Sequence, residues 1–249
     1  MPGTLPESCA VVSCHVERPL DDEVWGQFRS LQDRRPGGFS VAALLRPSDV
    51  AFGEDETVWA ERARATAALG PFGQHTHWTA PDHARPTSGA TGERVLAEGR
   101  MLRELGLAPT LFCGGGWYTD ADVAEACAEL GYVDCTPRAR RPPYLAGDAP
   151  WVELATPASI ELPSGRRLTA IPTTHSLGEL ARGLLSRSLP RVVHVYFHDT
   201  DLLDRRRRVL VHVLLGALAR RRQPSDLDTL ARDMAASRTV TWAEITRPL

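Results

Sequence analysis

CAVVSCHVE, residues 9–17, decides how the rest of the chain is read. It begins as an apolar run that reads as a buried strand and turns polar at its end. Period-two geometry puts His15 and Glu17 on one face and Cys14 and Val16 on the other. A strand that leaves the core with an imidazole and a carboxylate on one side delivers chemistry to one end of a sheet.

The same pattern recurs outward from this stretch. EVWGQFRSLQDR (23–34) has Val24, Phe28 and Leu31 on one helical face, and GFSVAALLRP (38–47) reads as a second strand. A helix over 56–70 leads to a short third strand, GQHTHW (73–78), and a helix over 93–106 to a fourth, PTLFCGG (109–115). Asp120 or Thr119 can cap a helix over 121–131, followed by strand YVDCT (132–136). Gly70 and Gly106 close the helices before them. The arginine- and proline-rich PRARRPPYLAGDAP (137–150) interrupts the alternation. It resumes with a strand over 166–175, a helix over 175–188, the strand VVHVYFH (192–198) and a long helix over 204–222, ending in a short strand or cap at 237–245. Sustained strand–helix alternation predicts an α/β fold with a parallel sheet and outer helices. Seven or so units fit a closed or nearly closed barrel, in one domain spanning 1–249.

Composition excludes several function classes. A net charge of −2 offers no bulk attraction to nucleic acid or anionic membrane. All 29 basic residues are arginine, which excludes Schiff-base or P-loop lysine chemistry. No apolar run reaches membrane-spanning length, and MPGTLPESCA lacks the features of a signal peptide, so a cytoplasmic protein is expected. The five cysteines form no CxxC pair and are expected to be reduced. No GxGxxG opens the first helix, and the glycines at 114–116 are a weak sign of a phosphate loop.

In a parallel barrel the active site gathers at the C-terminal ends of the strands. There the sequence sets His15 and Glu17, His75 and His77, Cys113, Asp134, His175, and His198 with Asp199. His75 and His77, two residues apart on a strand, would share a face with Cα atoms roughly 7 Å apart, close enough to share one metal ion. The apolar run VVHVYF delivers His198 from the core. His194, in mid-strand, reads as a buried structural histidine, His83 as solvated and His212 as helical; none of the three is given a role, and His175 is left open. The cysteines read as buried fillers, with Cys113 set apart by its place beside the centre. Asp21 and Asp22 read as helix caps, and RRRR (205–208) as a solvated helix start. Trp78 and Trp117 serve either as packing or as a sugar-stacking wall.

In order and spacing these motifs resemble the polysaccharide deacetylase family, metal-dependent carbohydrate esterases with a distorted seven-unit (β/α) barrel, over residues 9–245. SCHVE (13–17) stands at the family's first-strand acidic motif and GQHTHW (73–78) at its metal-histidine motif. LFCGGGWYTDADVAEACAELGYVDCT (111–136) is similar to its arginine-glycine stretch, helix and Gly-Tyr-x-x-Asp segment. HVYFHDTDLL (194–203) resembles the late motif that carries a catalytic histidine. Three positions depart from the pattern. The usual first aspartate is His15, the second imidazole of the common His-x-x-x-His spacing falls on Thr79, and the expected arginine is Cys113.

The resemblance implies hydrolysis of an amide or ester, with N-deacetylation of an amino-sugar-containing or other small cytoplasmic metabolite expected rather than attack on assembled polymer. Glu17, His75 and His77 would hold a divalent ion, zinc by its N/O ligand set, with His77 in place of the missing ligand. His15 would be the general base in place of the family's carboxylate, and His198 the proton donor to the leaving group. An exchange of roles, with His15 as ligand and Glu17 as base, fits the same residues. Two rivals remain: a degenerate, non-catalytic binding protein, and a covalent hydrolase built on Cys113 and His198.

Overall fold

Alternation along the inner strands sorts side chains into a barrel interior and a helix-facing shell. In β1 (Cys9–Val16) Cys9 and Val11 pack inward with Ala42, Leu44, Leu111, Cys113 and Ile171. Ala10, Val12, Cys14 and Val16 pack outward against Phe28, Leu31, Trp59 and Leu215. Both faces of the strand are buried, which is why its first half is continuously apolar. The computed structural model describes residues 8–87, 89–142, 145, 150–234 and 238–246.

After β1 the order is α1 (Asp22–Arg34), β2 (Ala42–Leu45), α2 (Glu56–Ala67), β3 (Phe72–Thr76), α3 (Thr91–Glu104), β4 (Leu111–Gly114), α4 (Ala121–Leu130) and β5 (Val133–Asp134). A hairpin of β6 (Ala158–Glu161) and β7 (Arg167–Ala170) follows, then β8 (His175–Ser176), α5 (Leu177–Ser186), β9 (Val192–His198) and α6 (Arg205–Ala219). The chain closes with β10 (Gln223–Pro224), α7 (Leu227–Asp233), β11 (Thr239–Thr241) and α8 (Trp242–Ile245). Aspartates cap α1, α2, α4, α6 and α7, each accepting from backbone N–H groups of the first turn.

The sheet runs β11-β6-β7-β5-β4-β3-β2-β1-β9-β8, with β10 beside β1. Apart from the antiparallel β6–β7 hairpin, every pairing is parallel. One stretch of chain bridges β5 and β9. Past β7, Ile171 N donates to Asp134 O (2.9 Å) and Thr173 N to Pro137 O (2.9 Å), after which Thr174 N donates to His194 O (3.0 Å). The segment thus passes from the edge of β5 to the edge of β9 within a few residues, closing a distorted α/β barrel without a continuous ladder.

The alternation expected from sequence holds from β1 to β5 and again from β8 to α6. Corrections fall where regular alternation stops. β6 occupies a stretch expected to hold no strand, and α7 and β10 lie beyond the last expected long helix. Gly70 does not cap α2, which ends at Ala67 with Ala68 as its C-cap in right-handed geometry. Gly114 ends β4 and residues 115–117 form a 3-10 turn rather than a phosphate loop ahead of a long helix. Of the excursion at 137–150, residues 143, 144 and 146–149 lie outside the described residues. No helix among the described residues is long and apolar enough to cross a membrane.

Gly73 shows how tightly the strand that carries His75 is seated. A Cβ there would lie 2.6 Å from both the Cβ and the backbone oxygen of Leu111 in the neighbouring strand. Gly73→Ala is therefore expected to destabilise the protein by about 1–3 kcal/mol through overpacking, read as a lowered urea midpoint with unchanged slope.

Candidate metal and catalytic centre

The inward face of three strands converges beyond the apolar interior. Parallel register sets His15 beside His198 and His75 beside Cys113. Glu17 follows β1, and His77 follows β3, each one inward step past the imidazole before it. All five residues expected from sequence at the centre are thus brought together. Oε1 of Glu17 lies 3.6 Å from Nε2 of His75, 3.6 Å from Nε2 of His77 and 3.5 Å from Nε2 of His198. The His15 ring centroid is 4.6 Å from that of His75 and 5.2 Å from that of His198. A pocket of about 160 Å³ opens between His15, Glu17, His75, Trp117 and His198.

Tautomers follow from the partners of the Nδ1 atoms. His75 Nδ1 is 2.8 Å from Cys113 O, and His77 Nδ1 is 2.7 Å from Pro81 O. A carbonyl oxygen only accepts, so in both rings Nδ1 donates and a neutral ring keeps a bare lone pair on Nε2. Both Nε2 atoms are buried with no hydrogen-bond partner. They face a carboxylate oxygen, so lone pairs meet lone pairs unless a cation lies between them. A proton on either ring is one candidate. Burial opposes it, lowering the basicity of His75 against the pull of Glu17.

A divalent ion fits better. The donor atoms of Glu17, His75 and His77 all lie within 4.8 Å of one another. Ligands about 2.0–2.1 Å from a tetrahedral ion stand roughly 3.3–3.4 Å apart, close to the spacing seen here. The Nδ1–H···O=C bonds are the outer contacts by which proteins orient metal-ligating histidines. Neither of the two remaining imidazoles, His15 and His198, belongs to this set, although the donor atoms of His15, His75 and Cys113 form a second group within 4.8 Å of one another.

Those two differ in environment. The His198 side chain is 35% exposed, and His15 is buried. His15 stacks on Tyr196 and lies near Trp117, with Nε2 unpartnered. Burial, reinforced by His75 and His198, holds its basicity well below the usual histidine range, so it is a neutral imidazole. Glu17 is the reverse case. Burial alone would raise it, but positive charge on the His75 and His77 side, a ring proton or an ion, holds the carboxyl well below its usual range.

Several residues that sequence reasoning passed over hold this arrangement. The Arg46 guanidinium donates to Glu17 O (Nε, 2.9 Å) and is clamped by Glu54. Asp199 was noted only as a strand-end residue; it is buried, and it accepts from Arg18 N at 2.8 Å. The backbone on both sides of the Glu17–Arg18 peptide is thereby fixed. Arginine at the end of an apolar strand, as in AALLR, was the available signal for Arg46. Gly115 allows the turn to close on His77: a Cβ would lie 2.7 Å from Thr76 O and 3.0 Å from His77 Cδ2.

The other sequence candidates stand outside the Glu17–His75–His77 set. His194 bonds Ser13 Oγ at 2.8 Å in the buried layer beneath, a structural position. Cys113 faces His15 and His75 rather than His198, and burial pushes its thiol well above the usual range, contrary to an activated nucleophile. Trp117 lines the pocket, whereas Trp78 packs in the outer core with its indole N–H on Gly115 O. Arg46→Met removes the hold on Glu17 and strands a half-buried Glu54. It is expected to cost about 3 kcal/mol in denaturant unfolding, with part of the loss recovered in the Arg46→Met/Glu54→Gln double variant.

No family model matches the chain, and no curated protein matches it in sequence. Solved structures do resemble it. The 4-alpha-glucanotransferase of Thermococcus litoralis superposes with a TM-score of 0.58 at 13% identity, over 93% of this chain and 39% of that one. A mutant of a CE4 family pseudoenzyme with restored enzymatic activity superposes with a TM-score of 0.54 at 9% identity, over 92% of this chain and 69% of the other. The chain thus spans about two fifths of the glucanotransferase, and identities this low carry the fold alone. In fold the chain is a distorted α/β barrel that resembles both of these structures.

Proposed function

We propose that this chain is a metal-dependent hydrolase that cleaves an amide or ester, with N-deacetylation of an amino-sugar-containing or other small cytoplasmic metabolite as its reaction and residues 1–249 as a single domain. The observation that carries the reading is the pair of buried, unpartnered Nε2 atoms of His75 and His77 aimed at the Glu17 carboxylate. Glu17, His75 and His77 would hold the ion, with zinc suited to two nitrogens and an oxygen. When bound, such an ion supplies an acidified water and polarises a carbonyl oxygen.

The remaining residues divide the proton traffic. His15 is neutral and lined by aromatic rings, with an unpartnered Nε2 at the pocket; it would accept a proton there, against the lowering of its basicity by burial. His15 lies outside the Glu17–His75–His77 set but forms a second such set with His75 and Cys113, so the ligand role stays open beside the base role. His198 reaches solvent and the pocket, where a leaving amine would need a proton. Trp117 forms an aromatic wall against which a sugar ring can lie.

A second reading is a degenerate binding protein. It is favoured by His15 and Cys113, which replace the acid and the arginine of the resembled pattern, and by a fold neighbour described as a pseudoenzyme. Metal content separates the two. Purified protein is expected to carry about one divalent ion per chain by mass spectrometry, lost in His75→Ala and in His77→Ala; protein that holds no ion after zinc loading would overturn the enzyme reading. Glu17→Gln should keep a cooperative unfolding transition and lose at least about 100-fold in turnover of an acetyl ester or N-acetyl sugar. Wild-type rates in that variant would remove Glu17 from the reaction.

A further inference from the structure

A second cavity, of about 560 Å³, lies along α5, between that helix and the arginine-rich segment after β5. It is larger than the catalytic pocket and shares no lining residue with it. Its walls carry three guanidinium groups, Arg138, Arg140 and Arg182, together with His175, and one carboxylate, Glu179. That carboxylate is already engaged: it accepts from Arg138 Nη2 at 3.1 Å and from Ser176 N at 2.7 Å, closing the capping box of α5. Arg140 and Arg182 are exposed and form no ion pair among the described residues. Among the described residues the cavity therefore holds two positive charges without an ion-pair partner. Solvated arginines on open surface are commonplace; these face one concavity whose floor is a third, buried arginine.

Arg138 is the anchor of that floor. It donates to Tyr196 Oη at 3.0 Å, and its guanidinium carbon sits 4.6 Å from the Trp117 ring centroid and 5.1 Å from that of Tyr196. Stacking and two hydrogen bonds fix its plane, so little side-chain entropy remains to be lost when an anion binds nearby. Planar guanidinium forks match phosphate oxygens in bidentate geometry. Leu189, Pro190 and Ala155 line the remaining wall and suit an uncharged body rather than a second charge. The volume lies within the roughly 300–1,000 Å³ usual for small-molecule sites.

We propose that this groove binds the phosphate or diphosphate group of a small phosphorylated molecule, through Arg140 and Arg182 over the fixed Arg138. The site stands independently of the hydrolase reading, since no residue of the metal centre takes part.

Calorimetric titration of the purified chain at about 50 mM salt, with sodium pyrophosphate and separately with a nucleoside diphosphate, tests it. Saturable binding is expected, weakened at least tenfold in Arg140→Glu/Arg182→Glu and retained in His75→Ala, which disables the proposed metal set. Arg205→Glu/Arg206→Glu, exposed positions on α6, changes net charge equally and is expected to leave binding intact. Tighter binding of the nucleoside diphosphate than of pyrophosphate would assign the site to an organic phosphate; equal or weaker binding would assign it to the free anion. Absence of saturable binding to either probe, undiminished binding in the groove variant, or an equal loss in both charge-reversal variants would overturn the proposal.

Discussion

Two backbone carbonyls decide the chemistry of this protein. Cys113 O and Pro81 O each take the only proton of a neutral imidazole and leave the opposite nitrogens of His75 and His77 bare before Glu17. That arrangement is written into the fold. The His75–Cys113 contact exists because β3 and β4 pair in parallel with those residues as register partners. A one-residue slip would turn His75 outward, toward Gln74's present neighbours, and remove the centre. The Pro81 contact depends on the chain turning back just past β3, and Gly115 leaves room for that turn beside His77. Sheet register, a glycine and a proline-bearing loop therefore set a protonation pattern that neither histidine could set alone.

Sequence reading succeeded where one residue's position fixes its direction. Period-two alternation placed His15 with Glu17 and His75 with His77, and the same rule separated Cys14 from both. It failed where direction depends on a distant partner. Arg46 acts on Glu17 across 29 positions, and Asp199 on Arg18 across 181, so neither pairing leaves a local trace. The β6–β7 hairpin went unseen for a different reason. Prolines flank β6, the strand is four residues long, and its alternation is too brief to separate from a loop. Barrel closure by the passage from β5 to β9 is likewise a tertiary event, because residues 171–176 carry no periodicity of their own.

The departures from the polysaccharide-deacetylase pattern make more sense in three dimensions. His15 is surrounded by the rings of His75, Trp117, Tyr196 and His198. An ionised carboxylate in that position would face aromatic π-clouds and little water, at a high cost in desolvation. A neutral imidazole packs there without that cost. A guanidinium is missing at 113, yet one stands at 138, stacked on the same Trp117 and bonded to the same Tyr196 that support His15. Arg138, Trp117 and Tyr196 thus form one stacked group beside His15 and the Glu17–His75–His77 cluster.

Trp117 ties these features together and is held in a conformation that costs energy. Its φ of 61° lies in the left-handed region, a position that disfavours a bulky side chain by roughly 1–2 kcal/mol. Such strain persists only where the surroundings over-determine it. Here Arg138 stacks on the indole at 4.6 Å, the His15 ring lies 5.3 Å away and the Tyr196 ring meets it edge-on at 4.8 Å. The indole contacts the inner imidazole of one cavity and the arginine floor of the other, so a relaxed backbone at this position would disturb both. Strain at a single residue is therefore offset by contacts on both sides of the wall that separates the candidate metal pocket from the arginine groove.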